Sequence, residues 1–181
     1  MKEVLSRVIP DQIFTPGTNP APSPAAPARV LIAGDWHGNS RFGEAMIRLA
    51  RKLEAPVVLQ LGDFGIWQRR TTPRYLNSLE WQAGKSDVVV YAIGGNHENY
   101  DEVKAFERDP DPDGFVTLRR HVRWIPRGQR WTWNGVRSGA LGSAFSVDWP
   151  ARSPGRDWWP GAEELGGTAS SGSATLRSTY W

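Results

Sequence analysis

A chain of 181 residues with 39% hydrophobic and 23% charged side chains has the make-up of one globular domain of ordinary size. A net charge of +3 is too small to demand a polyanionic partner, and the lack of cysteine excludes disulfides and thiolate metal ligands, so any metal must sit on nitrogen and oxygen. The longest apolar run, VVVYAIGG, is far too short to cross a bilayer, and the opening MKEVLSRVIPDQIF has no continuous apolar stretch for secretion, which reads as a soluble, cytoplasmic protein with no membrane partner.

Taken in order, residues 1–28 form a lead-in whose TPGTNPAPSPAAP stretch is Pro/Ala-rich and expected to be extended or disordered. RVLIAGD is the first expected strand. RFGEAMIRLARKLEAP follows with Phe42, Met46, Leu49, Ala50 and Leu53 at helical spacing, Ser40 as the N-cap and Pro56 as the stop. PVVLQLGD is the second strand. RYLNSLEWQAGKS then repeats Leu76, Leu79 and Ala83 as a helix, with Gly84 suited to its C-terminal end. DVVVYAIGG is a third, continuously apolar strand, and YDEVKAFERD a short helix before the DPDPDG loop. Strand and helix alternate, so the pattern predicts an α/β unit with a parallel sheet, whose ligands belong beyond the carboxyl ends of the strands.

From about Val122 the texture changes to HVRWIPRGQRWTWNGVRSGALGSAF, where Asn134-Gly135 between strand-like runs predicts a type I′ hairpin. Arginines interleave with Trp124, Trp131 and Trp133 here, a pattern that suits a nucleic-acid-binding module but is more simply half core and half solvated face. The pair Trp158-Trp159 reads as packing. His121 falls in a basic loop and is expected to be solvated. The domain is expected to span residues 29–165, and the small polar stretch 166–181 to be a disordered tail.

All three strands end beside glycine on residues able to hold a cation: GDWHG, GDFG and GGNHE. Asp35 and His37 are one residue apart and can face the same side of a loop, Asp63 could bridge two cations, and Asn96 offers a carbonyl oxygen. His97 could bind metal or handle protons. Alone, Asp-x-His is an ordinary polar loop, and GDFG lacks the other motifs of a kinase. In order at three successive strand ends, they point to a metal centre.

This set of three resembles the calcineurin-like metallophosphoesterases, whose signature runs Asp-x-His, Gly-Asp-x-x-Asp, Gly-Asn-His-Asp/Glu, a lone His and Gly-His-x-His. Asp35-Trp36-His37 and Gly95-Asn96-His97-Glu98 match. GDFGIW matches at Gly62 and Asp63 but has Gly65 and Ile66 where the family often has its second acid. With ALGSAFSVDWPARSPGRDWWP downstream, the chain is similar to a branch common in actinobacteria and their phages, over about Arg29 to Glu164. The resemblance implies a layered α/β/β/α sandwich and two divalent ions (Mn, Fe, Zn or Ni) bridged by Asp63. Asp35 and His37 would complete one ion's ligands from this half, and Asn96 would serve the other. A metal-bridging hydroxide would then hydrolyse phosphomono- or diesters, possible substrates including nucleotides or nucleic acid, while His97 stabilises or protonates the leaving oxygen. The family's late histidines have no counterpart, since the chain has three histidines in all. The expectation is therefore a fold incomplete at the C-terminus, truncated or frameshifted near Glu164, with a catalytically impaired remnant as the alternative to an active enzyme.

Overall fold

The computed structural model describes residues 27–67 and 71–163. Nearly all of the expected lead-in and all of the expected 166–181 tail lie outside the described residues. The mixed α/β architecture anticipated from the strand–helix alternation is the one observed. Strands β1 (Val30–Ala33), β2 (Val57–Leu61) and β3 (Val89–Ile93) pair in parallel and alternate with helices α1 (Ser40–Lys52) and α2 (Thr72–Ser86). Helix α3 (Tyr100–Phe106) follows β3, and β4 (Val116–Arg119) and β5 (Val122–Ile125) complete a sheet of order β1-β2-β3-β5-β4. Because β1, β2 and β3 are sequential neighbours, right-handed crossovers place both connecting helices on one face. That face holds the larger core, with Ile47, Leu76, Leu79, Val58, Val90, Ala92 and Trp124 all buried.

Among the described residues the opposite face carries the hairpin β6 (Arg130–Trp133) and β7 (Val136–Gly139). Asn134 and Gly135 both adopt positive φ, 48° and 77°, as a type I′ turn requires, so the Asn-Gly signal is realised. Trp131 and Trp133 pack from this hairpin onto Tyr91, Phe115 and Ile125. Among the described residues the layers therefore run helix, sheet, hairpin sheet, and a second outer helical layer is not among them. No helix of the described residues is long and apolar enough to cross a membrane.

Several local expectations are corrected. The N-cap of α1 is Asn39, not Ser40: its side chain accepts from Phe42 N at 3.1 Å. The buried stripe of α1 is Gly43, Ile47 and Ala50, while Phe42, Leu49 and Leu53 are partly exposed at its edges. The helix is rotated because Gly43 lets it settle against α2 and the first ligand turn, where a Cβ would stand 2.6 Å from Leu79 Cδ2 and 2.9 Å from Trp36 Cε3. Gly84 does not end α2; the chain turns at Asp87 in the left-handed region. His121 is not solvated: its backbone N–H and its Nδ1 both bind the Glu80 carboxylate, at 2.7 and 2.8 Å. Strand β4 was not anticipated. It is four residues long and buried on both faces, with no alternation to betray it.

Candidate metal centre

The three glycine-flanked turns meet at the carboxyl edge of β1, β2 and β3, tied together through their main chains. Asp35 N donates to Gly62 O at 3.1 Å, His37 N to Asp63 O at 2.7 Å, and Gly62 N to Ile93 O at 3.1 Å. Asp35, His37 and Asp63 all adopt left-handed backbone, with φ of 54°, 47° and 53°. Such conformations cost on the order of 1 kcal/mol each in non-glycine residues and persist only where the surroundings hold them. Here the cross-turn hydrogen bonds hold them, and the result is that the three side chains turn back toward one point. Their neighbours anchor the turns from beneath: Trp36 and Phe64 are buried in the helix-side core with ring centroids 5.8 Å apart.

One ligand atom from each of Asp35, His37 and Asp63 lies within 4.8 Å of the others. His37 Nε2 is 3.9 Å from Asp35 Oδ1 and 3.7 Å from Asp63 Oδ2. Asp63 is the inner member, its side chain 11% exposed, whereas that of Asp35 is 83% exposed and opens to solvent. Two carboxylates gathered on strained backbone around an imidazole repel one another until a cation arrives, and oxygen with nitrogen donors suit a borderline divalent ion. The donor set fits such an ion. Asn96 lines the same cleft of about 360 Å³ as Asp35 and Asp63. Its amide nitrogen donates to Ser146 Oγ at 2.9 Å, which leaves its carbonyl oxygen as the ligand atom.

The third turn is built around Asp63. His97 N donates to Asp63 Oδ1 at 3.0 Å, and a Cβ on Gly95 would fall 2.1 Å from that same oxygen, so only glycine fits there. Gly65, which with Ile66 stands where the family often has its second acid, lies against Gly38, whose N would be 2.1 Å from any Cβ at position 65. This backbone leaves no room for an acid at that point. Glu98 clamps two turns at once, accepting from Gly65 N at 2.9 Å and Gly95 N at 2.6 Å. Burial pushes its carboxyl up to about 7, against the pull of those two N–H groups.

The His97 ring lies 5.1 Å from that of His37, edge to face. Burial lowers the His97 pKa; Arg152 and His37 act in the same direction, and Asp63 opposes them. The neutral ring accepts at Nε2 from Arg152 Nη2, 2.5 Å away, which places its own proton on Nδ1. Sequence reasoning missed the Glu98 clamp and the approach of Arg152. Glu98 was visible only as a motif letter, and Arg152 stands 55 residues from His97 with no spacing to link them.

A larger hollow, about 590 Å³, lies at the amino ends of the strands between Arg51, Lys52, Glu54 and Asp87. It coincides with no metal-ligating cluster among the described residues. Asp35, Asp63 and Asn96 line the smaller cleft. A family model described as calcineurin-like phosphoesterase matches residues 28–167. No curated protein matches the chain.

Proposed function

From the premise that the chain belongs to the calcineurin-like phosphoesterase family, we propose that it hydrolyses phosphomonoesters or phosphodiesters with divalent metal at the β1–β3 edge. The observation that carries this reading is the convergence of Asp35, His37 and Asp63 on strained backbone within 4.8 Å. Asp35, His37 and Asp63 would hold one ion, and Asp63 with Asn96 would hold a second. Divalent ions bound there would supply Lewis-acid charge and lower the pKa of water. Manganese, iron, zinc and nickel all suit these ligands.

The chain's own groups do the rest. Asp63, nearly buried and fixed by the His97 N–H, positions the centre against the strand ends. Asn96, held by Ser146, presents a neutral oxygen and so leaves positive charge for the substrate. His97 is neutral, and its Nε2 faces Arg152 beside the centre. To stabilise or protonate the leaving oxygen, that nitrogen must first be released by Arg152 and take up a proton, becoming a donor.

A nucleic-acid-binding module is disfavoured. Trp124 is buried, and Trp131 and Trp133 pack into the Tyr91–Phe115 aromatic cluster, so no stacking platform of this kind is presented. Among the described residues the second ion would have only Asp63 and Asn96, and this short donor set favours weak loading there as the main alternative to efficient turnover. Manganese-dependent hydrolysis of bis(p-nitrophenyl) phosphate, abolished in Asp63→Ala, tests the reading. Absence of metal-dependent turnover in the intact chain would refute it.

A further inference from the structure

Arg152 stands apart from the segment that carries it. Val147 is 85% exposed and Trp149 45%, yet the Arg152 side chain is only 8% exposed and turns inward. Its Nη2 donates to Asp148 Oδ1 at 2.8 Å and to His97 Nε2 at 2.5 Å, while Nη1 reaches Asp157 O only at 3.5 Å. A largely buried guanidinium therefore spends its fork on one carboxylate oxygen, one neutral imidazole nitrogen and one distant carbonyl. That is a poor match for a group with five donors whose preferred partners are the paired oxygens of carboxylate and phosphate. The same segment reaches the candidate centre twice more, through Ser143 N to Gly94 O at 2.8 Å and through Ser146 Oγ to Asn96.

We propose that Arg152 is the residue that binds the phosphoryl oxygens at this site, and that the arriving anion takes the guanidinium off His97. Two observations place it: the buried fork lies on His97 Nε2, and His97 in turn bonds Asp63 through its main chain at 3.0 Å. Among the described residues, Arg152 is the arginine seen hydrogen-bonded to His97, which puts its guanidinium within reach of a phosphoryl group bound beside Asp63. An anionic oxygen is a far better acceptor than a neutral imidazole, so the hydrogen bond is exchanged and His97 Nε2 is released from Arg152. Asp148, four residues before Arg152, keeps the guanidinium oriented throughout. The proposal rests on the phosphoesterase reading for the identity of the anion.

The test is titration of inorganic phosphate into the manganese-loaded full chain, for wild type, Arg152→Met and Arg152→Lys. The Met variant keeps the aliphatic stem and should bind phosphate at least about tenfold more weakly, with Lys in between and manganese affinity unchanged in both. In the zinc-loaded chain, whose ion is diamagnetic, phosphate should also shift the His97 ring resonances in wild type and not in Arg152→Met. Where turnover is measurable, KM for p-nitrophenyl phosphate should rise more than kcat falls. Equal phosphate affinity in wild type and Arg152→Met overturns the proposal, as does wild-type protein that binds no phosphate. If Arg152→Met does not fold, the Lys variant decides on the same titration. A chain that binds phosphate through Arg152 yet hydrolyses nothing refutes the proposed function and upholds this one.

Discussion

The two faces of the central sheet are dressed very differently. Toward the helices, Val58, Val90, Ala92 and Trp124 are buried under α1, α2 and α3. Toward the hairpin, Tyr91 and Ile125 are covered, but Ile32 is 62% and Leu61 48% exposed beyond its reach. The site straddles this boundary. Its ligand turns are pinned by Trp36 and Phe64 on the covered side, whereas Arg152 arrives on a segment with Phe145, 70% exposed, and Val147 in solvent. The candidate metal ligands are a product of the core, while the Arg152 side is held by a few hydrogen bonds.

The largest effect should come from breaking the covered side. Trp36→Ala removes the buried ring between Phe64 and α1 and should cost about 4 kcal/mol in chemical denaturation, with loss of metal-induced stabilisation. An effect below about 1 kcal/mol would mean the ligand turns are not anchored by the core.

Next in size is the clamp between the second and third turns. The Glu98 carboxyl lies near 7 when folded, above the ordinary glutamate value of about 4.5, so the folded state favours its neutral form. Its stabilising contribution is full below pH 4.5 and is lost as pH rises through 7, on the order of 3 kcal/mol across that window. Metal-free protein should therefore show this fall in unfolding free energy. Glu98→Gln should flatten it, though the variant is less stable, because its NH₂ would confront a backbone N–H. An unchanged slope in that variant would assign the pH dependence elsewhere.

Gly95→Ala sharpens the contrast at the ligand itself. The added methyl would lie 2.1 Å from Asp63 Oδ1 and 2.4 Å from Asp63 N, and should cost about 2 kcal/mol while displacing the carboxylate. Manganese affinity, followed by calorimetry, should fall more than tenfold, about 1.4 kcal/mol or more. On the uncovered side, Phe145→Ser should change stability by less than about 0.5 kcal/mol and reduce concentration-dependent association. A large loss of stability there would show that the exposed side is as integral as the covered one.

The ligand turns were legible because each sits directly after an apolar run, where local sequence and strand direction together fix position. The Asn134-Gly135 turn was legible for the same local reason. The face of α1 was not. Periodicity favoured Phe42, Leu49 and Leu53, but Gly43 lets Trp36 and Leu79 draw the helix round to bury Ile47. Tertiary contact overrode the pattern. Strand β4 hid in four residues between a loop and a tight turn, and its partner strand β5 is joined to it by a register irregularity between Thr117 and Arg119. His121 looked solvated because Glu80, its partner, is 41 residues away. Arg152 was invisible for a related reason: contacts of that span leave no mark on local spacing.

The central claim is that Asp35, His37 and Asp63 form a cation site, and titration of manganese into the metal-free chain tests it most directly. Wild type should show saturable binding heat and a Tm raised by several degrees, both lost in Asp63→Ala. No heat and no shift in wild type, or the same response in Asp63→Ala, would contradict it.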